Sequence, residues 1–213
     1  MQRHIIHNQT FLLHPDKVLF WEETSMLLIA DMHLGKGAHF RKEGIAVPVN
    51  IIQKELQKLE ALVDLFQAER VVFLGDLFHS VYNPEWEFFG RWMNKRPELS
   101  FELIIGNHDI LSRHQYEKFG VLIHESALDL HDILLTHEPM EAVPFGKYNL
   151  AGHLHPGVRL VGRGQQYVRL ACFYFSEVQG LLPAFGAFTG LHVLQPKGAD
   201  RVFVVAEGSV VEV

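Results

Sequence analysis

Five short blocks of the chain carry side chains that could do chemistry. "DMH" supplies Asp31 and His33, "GDLFH" supplies Asp76 and His79, "GNHD" supplies Asn107, His108 and Asp109, "TH" supplies His137, and "GHLH" supplies His153 and His155. Carboxylate, carboxamide and imidazole are the donors that divalent first-row metals accept. A strand rises about 3.3 Å per residue and alternates faces, so Asp31 and His33, or His153 and His155, are expected to project to one side about 6.6 Å apart. Two metals of a dinuclear site lie about 3.5–4 Å apart, so such a pair can serve one metal or divide between two. One metal alone would leave too many of these donors unused.

Each block closes an apolar run, which says what must position it. "MLLIAD" (26–31), "RVVFLGD" (70–76), "FELIIGN" (101–107), "DILLTH" (132–137) and "YNLAGH" (148–153) read as buried strands with polar carboxyl ends, where α/β sheets gather ligands. Between the first two, "VPVNIIQKELQKLEALVDLFQAE" spaces Ile52, Leu56, Leu59, Leu62, Val63 and Phe66 as a helix does, with Pro48 near its start. Shorter helices are expected at "PEWEFFGRWMNK" and "LSRHQYEKFG". The alternation implies a largely parallel sheet covered by helices, and the glycine-broken β-rich runs after about residue 150 imply a second sheet packed face to face with the first.

Composition bounds the class. A chain of 213 residues without linker or repeat fits one domain, 1–213. One cysteine, Cys172, set in "RLACFYF", excludes internal disulfides and cysteine-built metal sites and reads as a buried thiol suited to a reducing cytoplasm. No signal peptide and no membrane span are expected, because no apolar run is long enough. A formal charge of −6 argues against a whole-surface grip on nucleic acid and leaves a local basic patch open. His4, His7, His14, His114, His124, His131 and His192 have no partner spacing and are read as structural.

In order and spacing, Asp-x-His, Gly-Asp-x-x-His, Gly-Asn-His-Asp, His and Gly-His-x-His resemble the calcineurin-like metallophosphoesterase superfamily. That resemblance implies an α/β fold, a four-layer α-β-β-α sandwich of two mixed β-sheets flanked by helices. It implies two divalent ions, manganese first, with iron, zinc or nickel as alternatives. One ion would take Asp31, His33, Asp76 and His155, the other Asp76, Asn107, His137 and His153, with Asp76 bridging. A hydroxide between the ions would attack phosphorus in line with the leaving oxygen, and His108 would protonate or stabilise the departing alkoxide. Two divalent cations against two carboxylates and one hydroxide leave a small net positive charge, which attracts a phosphate ester. Asp109 is expected to stabilise the loop by hydrogen bonding.

His79 departs from the protein-phosphatase branches, which carry an aspartate three residues after the bridging one. "GDLFHS" is similar instead to the double-strand-break repair nucleases of the superfamily, which makes His79 a second catalytic candidate. Over nearly the full length, "WEETSMLLIADMHLGKGAHFRKEGIAVP" and "SEVQGLLPAFGAFTG" resemble the bacterial ligase-associated DNA damage response phosphoesterases. This implies a phosphodiesterase or nuclease that works with an ATP-dependent DNA ligase, a helicase and an exonuclease. The alternatives are a small-molecule phosphomonoesterase or nucleotide pyrophosphatase, or a scaffold of the same fold without catalysis. In the loop "GKGAHFRKEG", Lys36, Arg41 and Lys42 are candidate contacts to a flanking phosphate, and His39 is undecided; the loop lacks the spacing of a P-loop. Phe185, Phe188 and Thr189 are expected to pack at or shape the site's edge.

Overall fold

Helix α1 (Ile51–Phe66) buries Ile52, Leu56, Leu59, Leu62 and Val63 on one face, so its helical spacing becomes one wall of a core. Helix α2 (Pro84–Met93) starts where Asn83 Oδ1 accepts from the N–H of Glu85 at 2.8 Å, and Pro84 fills a first-turn position that needs no donor. Helix α3 (Arg113–Glu117) is a short turn whose Tyr116 is buried. These elements belong to a computed structural model that describes residues 1–37, 44, 51–187 and 189–213.

Two sheets lie against these helices and each other. The first runs in spatial order β1 (Gln2–Ile6), β2 (Gln9–His14), β3 (Val18–Trp21), β4 (Met26–Ile29), β5 (Arg70–Leu74), β6 (Ser100–Ile104) and β7 (Leu122–His124). It is parallel from β4 to β7 and antiparallel from β1 to β4, so the sheet is mixed, as the family resemblance implies, and not largely parallel, as the strand–helix alternation alone implies. Short connections at Asn8 and Lys17, both with positive φ, let those strands fold back directly, with no crossover helix. The second sheet runs β14 (His192–Val193), β11 (Pro156–Val161), β12 (Tyr167–Phe175), β13 (Gln179–Leu181), β10 (Tyr148–Ala151), β9 (Ile133–Thr136) and β8 (Ala127–Leu130). β15 (Arg201–Ala206) pairs with β12 and carries β16 (Ser209–Glu212).

The apolar runs are continuous because both faces of these strands are covered. Val71 and Phe73 of β5 join the helices in one core, while Val72 and Leu74 join Leu28 and Ile104 against Ile133, Leu135, Leu150, Phe173 and Phe203 of the second sheet. The described α-helices all belong to the first sheet's half of the chain. The outer face of the second sheet carries a small cluster of Val158, Cys172, Val202 and Val204. Burial pushes the Cys172 thiol up to about 12, which leaves it unreactive. No described helix is long and apolar enough to cross a membrane.

Trp86 is the hub of the helical layer, fully buried with ring centroids 5.2 Å from Phe78, 5.7 Å from Phe89 and 5.2 Å from Tyr116. Trp86→Ala is expected to cost about 3–5 kcal/mol, read as a lowered urea midpoint at unchanged slope. A loss below about 1 kcal/mol would show that this layer is not close-packed.

Candidate metal centre

β4, β5, β6, β9 and β10 all end on one rim, and the five polar blocks lie just beyond their last residues. The strand-alternation spacing expected for Asp31 and His33 does not hold, because β4 stops at Ile29 and β10 at Ala151. Left-handed backbone replaces it: φ is 51° at Asp31, 49° at His33, 52° at Asp76, 66° at His153 and 49° at His155. Such a conformation costs a non-glycine residue of order 1–3 kcal/mol, so five of them together mark stored strain. Neighbouring loops hold the turns in place. His33 N–H donates to Asp76 O at 2.8 Å, Leu34 N–H to Leu77 O at 2.9 Å and His79 N–H to Leu34 O at 2.8 Å, while Gly152 N–H donates to His137 O at 3.0 Å.

The turns bring lone pairs together. Donor atoms of Asp31, His33 and His155 lie within 4.8 Å of one another, and so do those of Asp76, His137 and His153. Asp76 faces both groups: Oδ2 is 3.6 Å from His33 Nε2, and Oδ1 is 3.5 Å from His137 Nε2. His137 Nδ1 donates to Leu74 O at 2.9 Å, which leaves Nε2 as a bare lone pair. That lone pair faces Asn107 Oδ1 and His153 Nδ1, each at 3.0 Å. Asp31 Oδ2 accepts from His153 N–H at 2.8 Å, whereas Asp31 Oδ1 and His33 Nε2 are buried without a hydrogen-bond partner. Burial, then the positive charge of Lys36, holds His33 far below its ordinary pKa and keeps its ring neutral. Buried acceptors converging without donors are what a cation site requires, and this donor set of oxygen and imidazole fits two divalent ions.

Backbone donors hold the anionic half of the site. Asp109, itself buried, accepts from the N–H groups of Asp76 at 2.8 Å, Leu77 at 2.9 Å, Phe78 at 3.2 Å and Gly106 at 2.9 Å, so it ties the β5 loop to the β6 loop. Its carboxyl is raised to about 6 by burial, in spite of these donors. Two glycines are required by close approach: a Cβ at Gly75, where φ is 77°, would stand 2.1 Å from His137 Nδ1, and one at Gly106 would stand 2.4 Å from Asp76 Oδ1. Gly152 packs against the carboxylate of Asp31, whose Oδ2 lies 2.8 Å from where a Cβ would be.

His108 stands half-exposed at the mouth, its N–H donating to Asp76 Oδ1 at 2.9 Å. His79 Nδ1 lies 3.0 Å from His33 Nδ1, and its ring stacks on His108 with centroids 3.9 Å apart. Lys36 lies near enough to Asp76 and Asp31 to feel both charges. Arg41, together with His39, Lys42, Pro48 and Phe188, lies outside the described residues.

Phe185 lies behind the site, and Thr189 bonds to Gly186, whose N–H donates to Asp31 O at 3.2 Å. Phe185 N–H donates to Ala30 O at 2.9 Å, and Thr189 Oγ1 donates to Gly186 O at 3.1 Å. The Phe185 segment is clamped by three charged residues that motif reading did not single out. Lys17 Nζ donates to Ala184 O at 2.7 Å, Lys58 Nζ sits 3.7 Å from the Phe185 ring centre, and Glu55 accepts from Ala187 N–H at 3.2 Å. Burial, then Lys58, lowers Lys17 to about 8. No local pattern links residues 17, 55 and 58 to 184–187.

A sequence profile of the calcineurin-like phosphoesterase family matches residues 24–155. Among solved structures, the chain is similar to the Pseudomonas putida nuclease MPE at a TM-score of 0.84 and 29% identity, over 100% of this chain and 99% of that one. It also aligns with the E. coli phosphoesterase Yfce at a TM-score of 0.45 and 15% identity, over 88% of this chain and 97% of that one. No curated protein matches the sequence.

Gly75→Ala is expected to displace His137 from Leu74 O and weaken binding of a divalent ion by roughly 10–100-fold, measured by Mn²⁺ titration of the purified protein. An unchanged affinity would show that the ring of His137 does not bear on the ion.

Proposed function

We propose that this chain, which belongs to the calcineurin-like phosphoesterase family and hydrolyses phosphoester bonds, is a two-metal phosphodiesterase that cleaves nucleic acid in DNA repair. The observation that carries the reading is the Asp76 carboxylate, one oxygen facing the His33 group and the other facing the His137 group. Asp31, His33, His155 and Asp76 would hold one ion, and Asp76, Asn107, His137 and His153 the other. Oxygen and imidazole donors without thiolate suit manganese, our first choice, and also iron, zinc or nickel. Two divalent cations there would supply Lewis-acid charge to a phosphoryl group and an activated water for in-line attack.

The chain's own residues do the rest. His108, at the mouth, protonates the departing oxygen, a contribution of roughly 10²–10⁴-fold. His79 acts through its neighbours, fixing His33 by its Nδ1 contact and the plane of His108 by stacking. Asp109 holds the two loops in register and makes no contact with substrate. Lys36 holds a phosphate flanking the scissile one. The full-length similarity to a nuclease at a TM-score of 0.84 supports a polymer substrate and a single functional unit over residues 1–213. A cytoplasmic setting beside an ATP-dependent DNA ligase, a helicase and an exonuclease completes the proposal, on the sequence resemblance described above.

With added Mn²⁺ the protein is expected to hydrolyse a bis-aryl phosphate and single-stranded DNA, and Asp76→Asn and His108→Ala each to lower kcat at least about 10²-fold. Inactivity of the wild type on both substrates, or undiminished turnover in both variants, would refute the mechanism.

A further inference from the structure

A groove of about 560 Å³ opens beside the second donor group, with Asn107 and His137 as its inner wall. It lies at the edge where the sandwich opens, between the residues after β6, the turn from β7 to β8 and the residues after β9. Ala127, at the start of β8, pairs with Thr136 at the end of β9, which places it level with the rim that bears the site. Ile105, Ala127, Pro139 and Met140 give the groove apolar surface, and Glu138 gives it a carboxylate. None of its described lining residues is a lysine or arginine.

Its size, polarity and place constrain the occupant. The volume falls within the range of roughly 300–1,000 Å³ typical of sites for small organic groups. A carboxylate repels a phosphate and no described lining residue offsets it, so the chain of phosphates in a substrate is not steered here. Lys36 stands instead on the loop that follows Asp31 and His33, its main-chain N–H donating to His33 O at 3.3 Å, and it feels the charge of Asp76 as well as that of Asp31. A phosphoester whose phosphorus lies between the two groups would therefore carry a flanking phosphate toward Lys36 and an uncharged substituent into the groove.

We infer that this groove is a nucleoside subsite, taking the base and sugar on one side of the scissile phosphate; the inference rests on the phosphodiesterase reading above. The apolar walls receive the face of the base, and Glu138 is placed to accept from an N–H on the edge of the base, such as N3–H of thymine. The site then grips a nucleic acid by one unstacked nucleoside and one flanking phosphate, which favours single-stranded over duplex substrate.

Three esters with one leaving group test it, with Mn²⁺ present: methyl p-nitrophenyl phosphate and the 3′- and 5′-(p-nitrophenyl phosphate) esters of thymidine. The better thymidine ester is expected to exceed the methyl ester in kcat/KM by roughly tenfold or more, mainly through KM. Ala127→Trp, which fills the groove, is expected to bring that ratio close to one while the methyl ester keeps its rate. Should Ala127→Trp fail to fold, Met140→Trp carries the same test, since Met140 is tied in by its main chain to Asn149 and Gln179. Equal kcat/KM for all three esters in the wild type, or a ratio the filled groove leaves unchanged, overturns the subsite alone. A wild type inactive on all three overturns the phosphodiesterase reading and the subsite with it.

Discussion

The carboxylate of Asp109 is the constraint on which the rest of the site depends. It is buried, and its oxygens accept from backbone N–H groups on two loops that leave β5 and β6. Without it, the N–H groups of Asp76, Leu77 and Gly106 would be buried donors lacking this acceptor, at about 1–3 kcal/mol each. Because Asp76 and Asn107 ride on those loops, the same bonds that satisfy backbone donors also aim one ligand from each of the two strands. Tyr116 adds its hydroxyl to Asp109 at 3.4 Å, so helix α3 and the Trp86 layer above it bear on the same carboxylate.

The site is expensive by design of its chemistry. Three carboxylates, Asp31, Asp76 and Asp109, are buried here, Asp76 and Asp109 repel each other, and five non-glycine residues hold left-handed backbone. The inter-sheet core offsets this, with Phe173, Phe203, Leu28, Val72 and Leu74 fully or almost fully buried; each such side chain contributes about 1.5–3 kcal/mol. Strain is confined to residues just past the strand ends, while the strands themselves keep ordinary pairing. Rigid β4, β5, β6, β9 and β10 therefore act as posts, and the turns on top aim the donors.

What was legible in the sequence follows from range. The five strands that carry donors were readable because an apolar run ending in a polar residue is a local signal, and α1 was readable from the spacing of Leu56, Leu59, Leu62 and Val63. The left-handed turns at Asp31 and His33 were not, since they are imposed by bonds from Asp76 and Leu77, more than forty residues on. β1 to β3 carry no chemistry; in β1 His4 and Ile6 are the buried positions, and a polar histidine at one of them hides the alternation in the sequence. Glycine roles were half-legible: Gly75 and Gly106 stand in the motifs, yet the reason for each is a side chain or amide from another strand.

Net charge misdescribes what a polyanion would meet. The formal −6 counts Asp31 and Asp76, which face inward at the rim and are matched by any divalent ions the donors hold. Much of the remaining acidity is paired on the surface, as in Arg96 with Glu60 and Asp64 or Arg201 with Glu212. At ordinary ionic strength, charges more than about 8 Å away are largely screened, so the field a phosphate feels is that of its immediate surroundings. Among the described residues those surroundings differ in sign, with Lys36 on the loop after His33 and Glu138 beside the groove at His137. On the proposed reading an acidic protein would thus receive a nucleic acid, and receive it in one direction, because the sign of charge changes across the site itself.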